Sequence, residues 1–229
     1  MLSIRFAVIL LLSVVVVHVA GAEELCGGVR VKVTNSEISV LGYDCPVPPN
    51  QAKDFILEAD KNGDGVIAMW EVEEFQKSFV KKYGSQEVTG FVYIDGKDIP
   101  LKVTQVTFQN LYKARVGENR QLGVITTLSG SYALGSGTHT VKVSIKGENT
   151  FIDFMIPGVV IKETNGQKGT FNNYPEVKTA QKSGYLMAVF DVPSKDVVKK
   201  DEKSIPGFEA VLGLISIVAV VYLQDKLRH

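Results

Sequence analysis

Apolar residues recur along this chain with two periods, and the change of period divides it. Ala52, Phe55, Ile56 and Ala59 fall on one face at helical spacing. Val72, Phe75, Phe79 and Val80 do the same, with polar Gln76 interrupting the stripe. The spacing predicts two amphipathic helices. The first is expected to begin after Pro48-Pro49 with Asn50 as its N-cap. The second is expected to stop at Gly84, with Lys81 and Lys82 in its last turn. A polar, glycine-containing run from Asp60 to Glu71 separates them.

From Glu87 to Pro193 the period falls to two. Strands are predicted near residues 89–94, 99–109, 112–116, 123–128, 130–134, 138–146, 150–156, 159–163, 170–174 and 185–192. Asp95-Gly96 and Asn165-Gly166 carry the strongest hairpin-turn signals. So many short strands with glycine-rich turns argue for an antiparallel β-sandwich over residues 87–193. Ahead of the helices, Val29, Val31 and Val33 alternate with basic residues, and Ile38, Val40 and Leu41 return after Thr34-Asn35-Ser36. Residues 23–48 therefore read as a small hairpin. The expected fold class is α+β, with a helix-loop-helix over residues 49–84 beside the sandwich.

Both ends of the chain are apolar. Arg5, the run from Ile4 to Val17 and the small residues Ala20-Gly21-Ala22 predict a signal peptide over residues 1–22. Residues 194–205 form a charged tether whose flexible reach is roughly 18 Å. An apolar stretch from Val211 to Leu223 follows, short for a plain transmembrane helix, and a basic tail ends the chain. The two cysteines, Cys26 and Cys45, lie in the exported part, where a disulfide between them is expected to staple the hairpin by about 3 kcal/mol. Lys plus Arg number 25 and Asp plus Glu number 25, so no basic footprint for nucleic acid exists.

The run Asp60-Lys61-Asn62-Gly63-Asp64-Gly65-Val66-Ile67-Ala68-Met69-Trp70-Glu71 presents oxygens at alternate positions. A hard cation such as Ca²⁺ wants six to eight of them. Asp60, Asn62 and Asp64 supply side chains, Val66 a backbone carbonyl and Glu71 a closing carboxylate, while Gly65 permits the bend. With its helical flanks the run resembles the EF-hand family. That resemblance implies Ca²⁺ at Asp60, Asn62, Asp64, Val66 and Glu71, at the weak end of the range, about 10⁻⁴ to 10⁻³ M. Ala68 stands at position nine, so no side chain holds a water there. A second such loop is absent from the sequence, so Ile67, which would pair with a partner loop, must pair elsewhere, dimerise or stand alone.

Pro206-Gly207-Phe208, set before the terminal apolar segment, resembles the PGF-CTERM sorting signal of archaeal surface proteins over residues 206–229. The resemblance implies recognition by an archaeosortase-like enzyme and exchange of the tail for a lipid anchor, by the logic of a GPI signal. The alternative is an ordinary single-pass anchor; both place the chain at the outer face of the membrane.

Catalysis finds little footing, and the chain is read as a non-enzyme. His139 is the only histidine between the end segments, and both cysteines are assigned to a disulfide, which removes the usual Ser-His and Cys-His pairs. Ser78-Phe79-Val80-Lys81 has the Ser-x-x-Lys spacing, but the Ser-Asp-Asn and Lys-Thr-Gly companions are missing. The expected function is a membrane-anchored calcium-binding module that holds a structural or protein-interaction surface. The alternative is an accessory ligand binder, for glycans or beside a transporter, with a purely structural ion. The aromatics Tyr93, Phe108, Tyr112, Tyr132, Phe151, Phe154, Phe171, Tyr174 and Tyr185 are candidates for a glycan platform, though such residues more often belong to the core, and the pattern alone does not say which of them share a face.

Overall fold

The computed structural model describes residues 26–145 and 148–194. The expected signal peptide, nearly all of the tether and the C-terminal segment lie outside the described residues. Among the described residues, two helices and thirteen strands form. The first helix, α1 (Pro49–Ala59), buries Ala52, Phe55, Ile56 and Ala59. The second, α2 (Met69–Tyr83), buries Val72, Phe75, Phe79 and Tyr83, with Val80 only half-buried. Pro48 rather than Asn50 is the N-cap of α1, and Pro49 takes the first turn, where its missing N–H costs nothing. At the end of α2, a Cβ on Gly84 would lie 2.6 Å from the Val80 carbonyl and 2.9 Å from that of Val103. The helix end therefore meets strand backbone where no side chain fits.

One sheet has eight strands in the order β11 (Gln167–Phe171), β12 (Tyr174–Thr179), β9 (Thr150–Phe154), β1 (Gly28–Val33), β2 (Glu37–Pro46), β7 (Gly123–Ser131), β6 (Leu101–Gln109) and β3 (Glu87–Val88). The other has five, β10 (Val160–Thr164), β13 (Tyr185–Val192), β8 (Gly137–Ser144), β4 (Val92–Ile94) and β5 (Lys97–Asp98). Buried residues of both sheets and both helices form one core, and Phe154 of β9 meets Phe190 of β13 at 4.8 Å between ring centroids.

The fold is thus α+β with one mixed and one antiparallel sheet, and residues 87–193 do not make the separate antiparallel sandwich expected. Two features break that expectation. The N-terminal hairpin is not set apart: β1 and β2 lie mid-sheet, and β1 pairs in parallel with β9. The helices intervene in sequence between this hairpin and its later strand neighbours, so local pattern gives no sign of the pairing. A disulfide joins Cys26, just before β1, to Cys45 near the end of β2, as expected.

Other differences are local. The two strands predicted at 123–128 and 130–134 are largely one strand, β7, because Gly130 continues it; a Cβ there would lie 2.7 Å from the Pro100 carbonyl. Residues 112–116 form no named strand. Asp95-Gly96 does make a hairpin turn, between β4 and β5, with φ of 50° and 77°. Asn165-Gly166 does not; it carries the chain from one sheet to the other, and the Asn165 amide bonds the backbone of Tyr185 and Met187.

Candidate functional site

The two helices that flank the loop pack on a cluster of rings. Phe55, Phe75, Phe79 and Phe108 lie with centroids 5.1–6.3 Å apart, joining both helices to β6. Such tilted and edge-on pairs add packing energy beyond area burial. Gln76, which interrupts the apolar stripe of α2, accepts the Phe108 backbone N–H at 2.9 Å. Its polarity serves the helix–strand contact.

Within the loop, Gly63 and Gly65 have φ of 74° and 81°, a region that glycine enters without steric cost. Asp60 Oδ1 accepts the Gly63 N–H at 2.9 Å and Oδ2 the Gly65 N–H at 3.1 Å. Asp64 Oδ1 accepts the Val66 N–H at 2.8 Å, and Asp64 Oδ2 accepts from the Asn62 amide at 2.9 Å. Glu71 is fully buried. Its Oε1 accepts from the N–H of Lys61 at 2.7 Å and of Asn62 at 3.1 Å, while Oε2 accepts from Ala68 at 2.9 Å. The bond from Ala68, with help from Asn62 and Lys61, outweighs burial and holds this carboxyl below the ordinary carboxylate range.

Four of the predicted donors therefore sit on the loop, with Asp60 half-buried and Asn62, Asp64 and Val66 exposed, while the fifth, Glu71, is buried in the first turn of α2 and bonds back to the loop backbone. Among the described residues, no group of three or more His, Cys, Asp or Glu side chains is arranged to hold a metal ion. The loop carboxylates are turned onto backbone N–H groups instead. The donor set is oxygen alone, the chemistry a hard cation takes.

The loop has a partner that sequence reading missed. Ile67 N–H donates to the Ala114 carbonyl at 2.9 Å, and Lys113 N–H donates to the Ile67 carbonyl at 2.8 Å. Val66 bridges Arg115 in antiparallel fashion, and Val116 N–H reaches the Gly65 carbonyl at 3.0 Å. The segment predicted as a strand over residues 112–116 is this partner, part of the connection from β6 to β7. Its alternating pattern was visible; its pairing with a loop was not. Ile67 and Ala114 are fully buried between the two segments.

A second cluster lies on the eight-stranded sheet. Gln167, Lys178, Phe151 and Arg30 stand in register on β11, β12, β9 and β1, so their side chains share one face. Arg30 lies over the Phe151 ring at 4.4 Å and the Phe171 ring at 4.1 Å. Its Nη1 donates to Asp153 Oδ1 at 2.7 Å and to Glu176 Oε2 at 2.9 Å. Burial raises the Asp153 carboxyl; Arg30 opposes the shift and Glu176 adds to it. The local sequence marks Phe151 and Phe171 only as two of many aromatics and does not mark the charged residues that join them from the other strands.

The C-terminal segment supplies a different kind of observation. Residues 205–224 match the PGF-CTERM motif. The motif implies an exported, C-terminally anchored surface protein processed by an archaeosortase-like enzyme. No curated protein and no solved structure matches the chain. No helix among the described residues is long and apolar enough to cross a membrane.

Proposed function

We propose that this PGF-CTERM-bearing chain is a calcium-binding surface module in which the ion stiffens the end of the fold that carries α1 and α2. One observation supports the reading most directly: the oxygen-rich loop Asp60–Glu71 is hydrogen-bonded through Ile67 to the connection between β6 and β7. A lone EF-hand-like loop thereby has, within its own chain, the pairing that such loops ordinarily take from a second copy.

Asp60, Asn62, Asp64, the Val66 carbonyl and Glu71 would hold the ion. When bound, Ca²⁺ supplies a divalent charge that ties both flanking helices to one centre. The residues prepare for it. Glu71, at the start of α2, already reaches back to the backbone of Lys61 and Asn62 in the loop just past α1. The N–H bonds keep its carboxyl ionised, the form a metal requires. Ile67 passes any stiffening of the loop to Lys113–Val116. Met69, Trp70, Val66, Tyr112 and Val116 are exposed around this junction and form the surface whose geometry is fixed.

Calorimetric titration of the full chain in mild detergent with Ca²⁺ tests the reading, with a Glu71→Gln chain beside it. Saturable binding that the substitution abolishes supports it. Heat that is absent, or that Glu71→Gln leaves unchanged, refutes it.

A further inference from the structure

We propose that the face of the eight-stranded sheet around Phe151 binds a short saccharide. A pocket of about 530 Å³ is lined there by Phe151, Gln167 and Lys178 of the cross-strand row and by Asn149, Thr179 and Gln181 close by. This site is separate from the loop and does not depend on calcium.

The chemistry of the lining selects the ligand class. Gln167 and Gln181 are exposed, and each amide offers a donor and an acceptor, the pairing that vicinal hydroxyls satisfy. The Thr179 hydroxyl accepts the Gln181 N–H at 3.1 Å, which leaves its O–H free to turn toward a ligand. Phe151 contributes an apolar ring for the C–H face of a sugar. That ring is held before any ligand arrives: Arg30 packs on it, and Asp153 and Glu176 fix Arg30. A preset platform lowers the ordering cost of binding. The lining carries no carboxylate, which disfavours metal ions and basic peptides, and its one cation, Lys178, is thin footing for a polyanion. A neutral saccharide, or one bearing a single acidic unit beside Lys178, fits best.

The test uses the full chain in mild detergent and a panel of neutral and uronate-containing di- to tetrasaccharides, read by saturation-transfer NMR and calorimetry. At least one member is expected to bind with a Kd of about 1 mM or tighter. Gln167→Ala and Gln181→Ala, at exposed positions that leave the fold intact by circular dichroism, are each expected to weaken it roughly five- to tenfold, the loss of one hydrogen bond. Phe151→Leu is expected to weaken it further, while Leu57→Ala, at an exposed position of α1, leaves it unchanged. No binding by any panel member at about 10 mM, or binding that all three pocket substitutions leave intact, would overturn the proposal.

Discussion

Glu71 and Asp153 are both sealed from solvent, at 0% and 1% exposure, yet their surroundings push their carboxyl groups in opposite directions. Glu71 sits at the loop end of the fold among three backbone N–H groups, and the nearby charge of Asp64 is the smallest influence on it. Asp153 lies on the sheet face, where it shares one guanidinium with Glu176. Burial alone therefore does not set charge; the ratio of donors to carboxylates does. The backbone N–H groups around Glu71 hold that carboxyl in its charged form. The sheet face uses its charges on one another, and what it leaves outward is a ring and amides.

The largest effect that would break this contrast is removal of Arg30. Arg30→Ala leaves Asp153 and Glu176 facing each other without a cation, and is expected to cost about 3 kcal/mol in urea unfolding near neutral pH. The cost should shrink in acid as the pair takes up a proton. A loss that is small and independent of pH would show that the cluster is not an electrostatic unit.

Acid titration of stability separates the two carboxyls next. Glu71, with its lowered value, contributes stability that is present above the ordinary carboxylate range and lost as pH falls through that value. Asp153, with its raised value, binds its proton more tightly in the native state, so its contribution improves as pH falls into the ordinary range. Glu71→Gln should flatten the loss at the acid end, and Asp153→Asn the gain above it. Identical profiles for the two variants would contradict the comparison.

The smallest effect sharpens it. Trp70 is 49% exposed beside the loop, so Trp70→Ala should change stability by no more than about 0.5 kcal/mol in thermal or urea unfolding. A larger loss would mean that the tryptophan supports the loop and is not free surface.

The loop end was legible in sequence because its parts are contiguous. Five predicted donors, a glycine bend and two apolar stripes fall within one short stretch, and of these the bend and the helices form where the pattern predicts. The disulfide was expected from the compartment that a predicted signal peptide over residues 1–22 would imply, and Cys26 and Cys45 do pair. The sheet face was not legible, since Arg30, Phe151, Phe171 and Glu176 come together only through strand order. That order includes a parallel pairing between β1 and β9 that turn signals do not encode. The partner of Ile67 was hidden for a related reason: Lys113–Val116 has strand-like alternation, and only the tertiary fold decides that it pairs with a loop.

The central claim is that an ion at the loop stiffens two segments at once. Amide hydrogen exchange of the full chain, with and without Ca²⁺, tests it most directly. Residues 60–71 and residues 113–116 are expected to gain protection together, and Glu71→Gln is expected to abolish both gains. Unchanged exchange in both segments, or protection confined to residues 60–71, would contradict it.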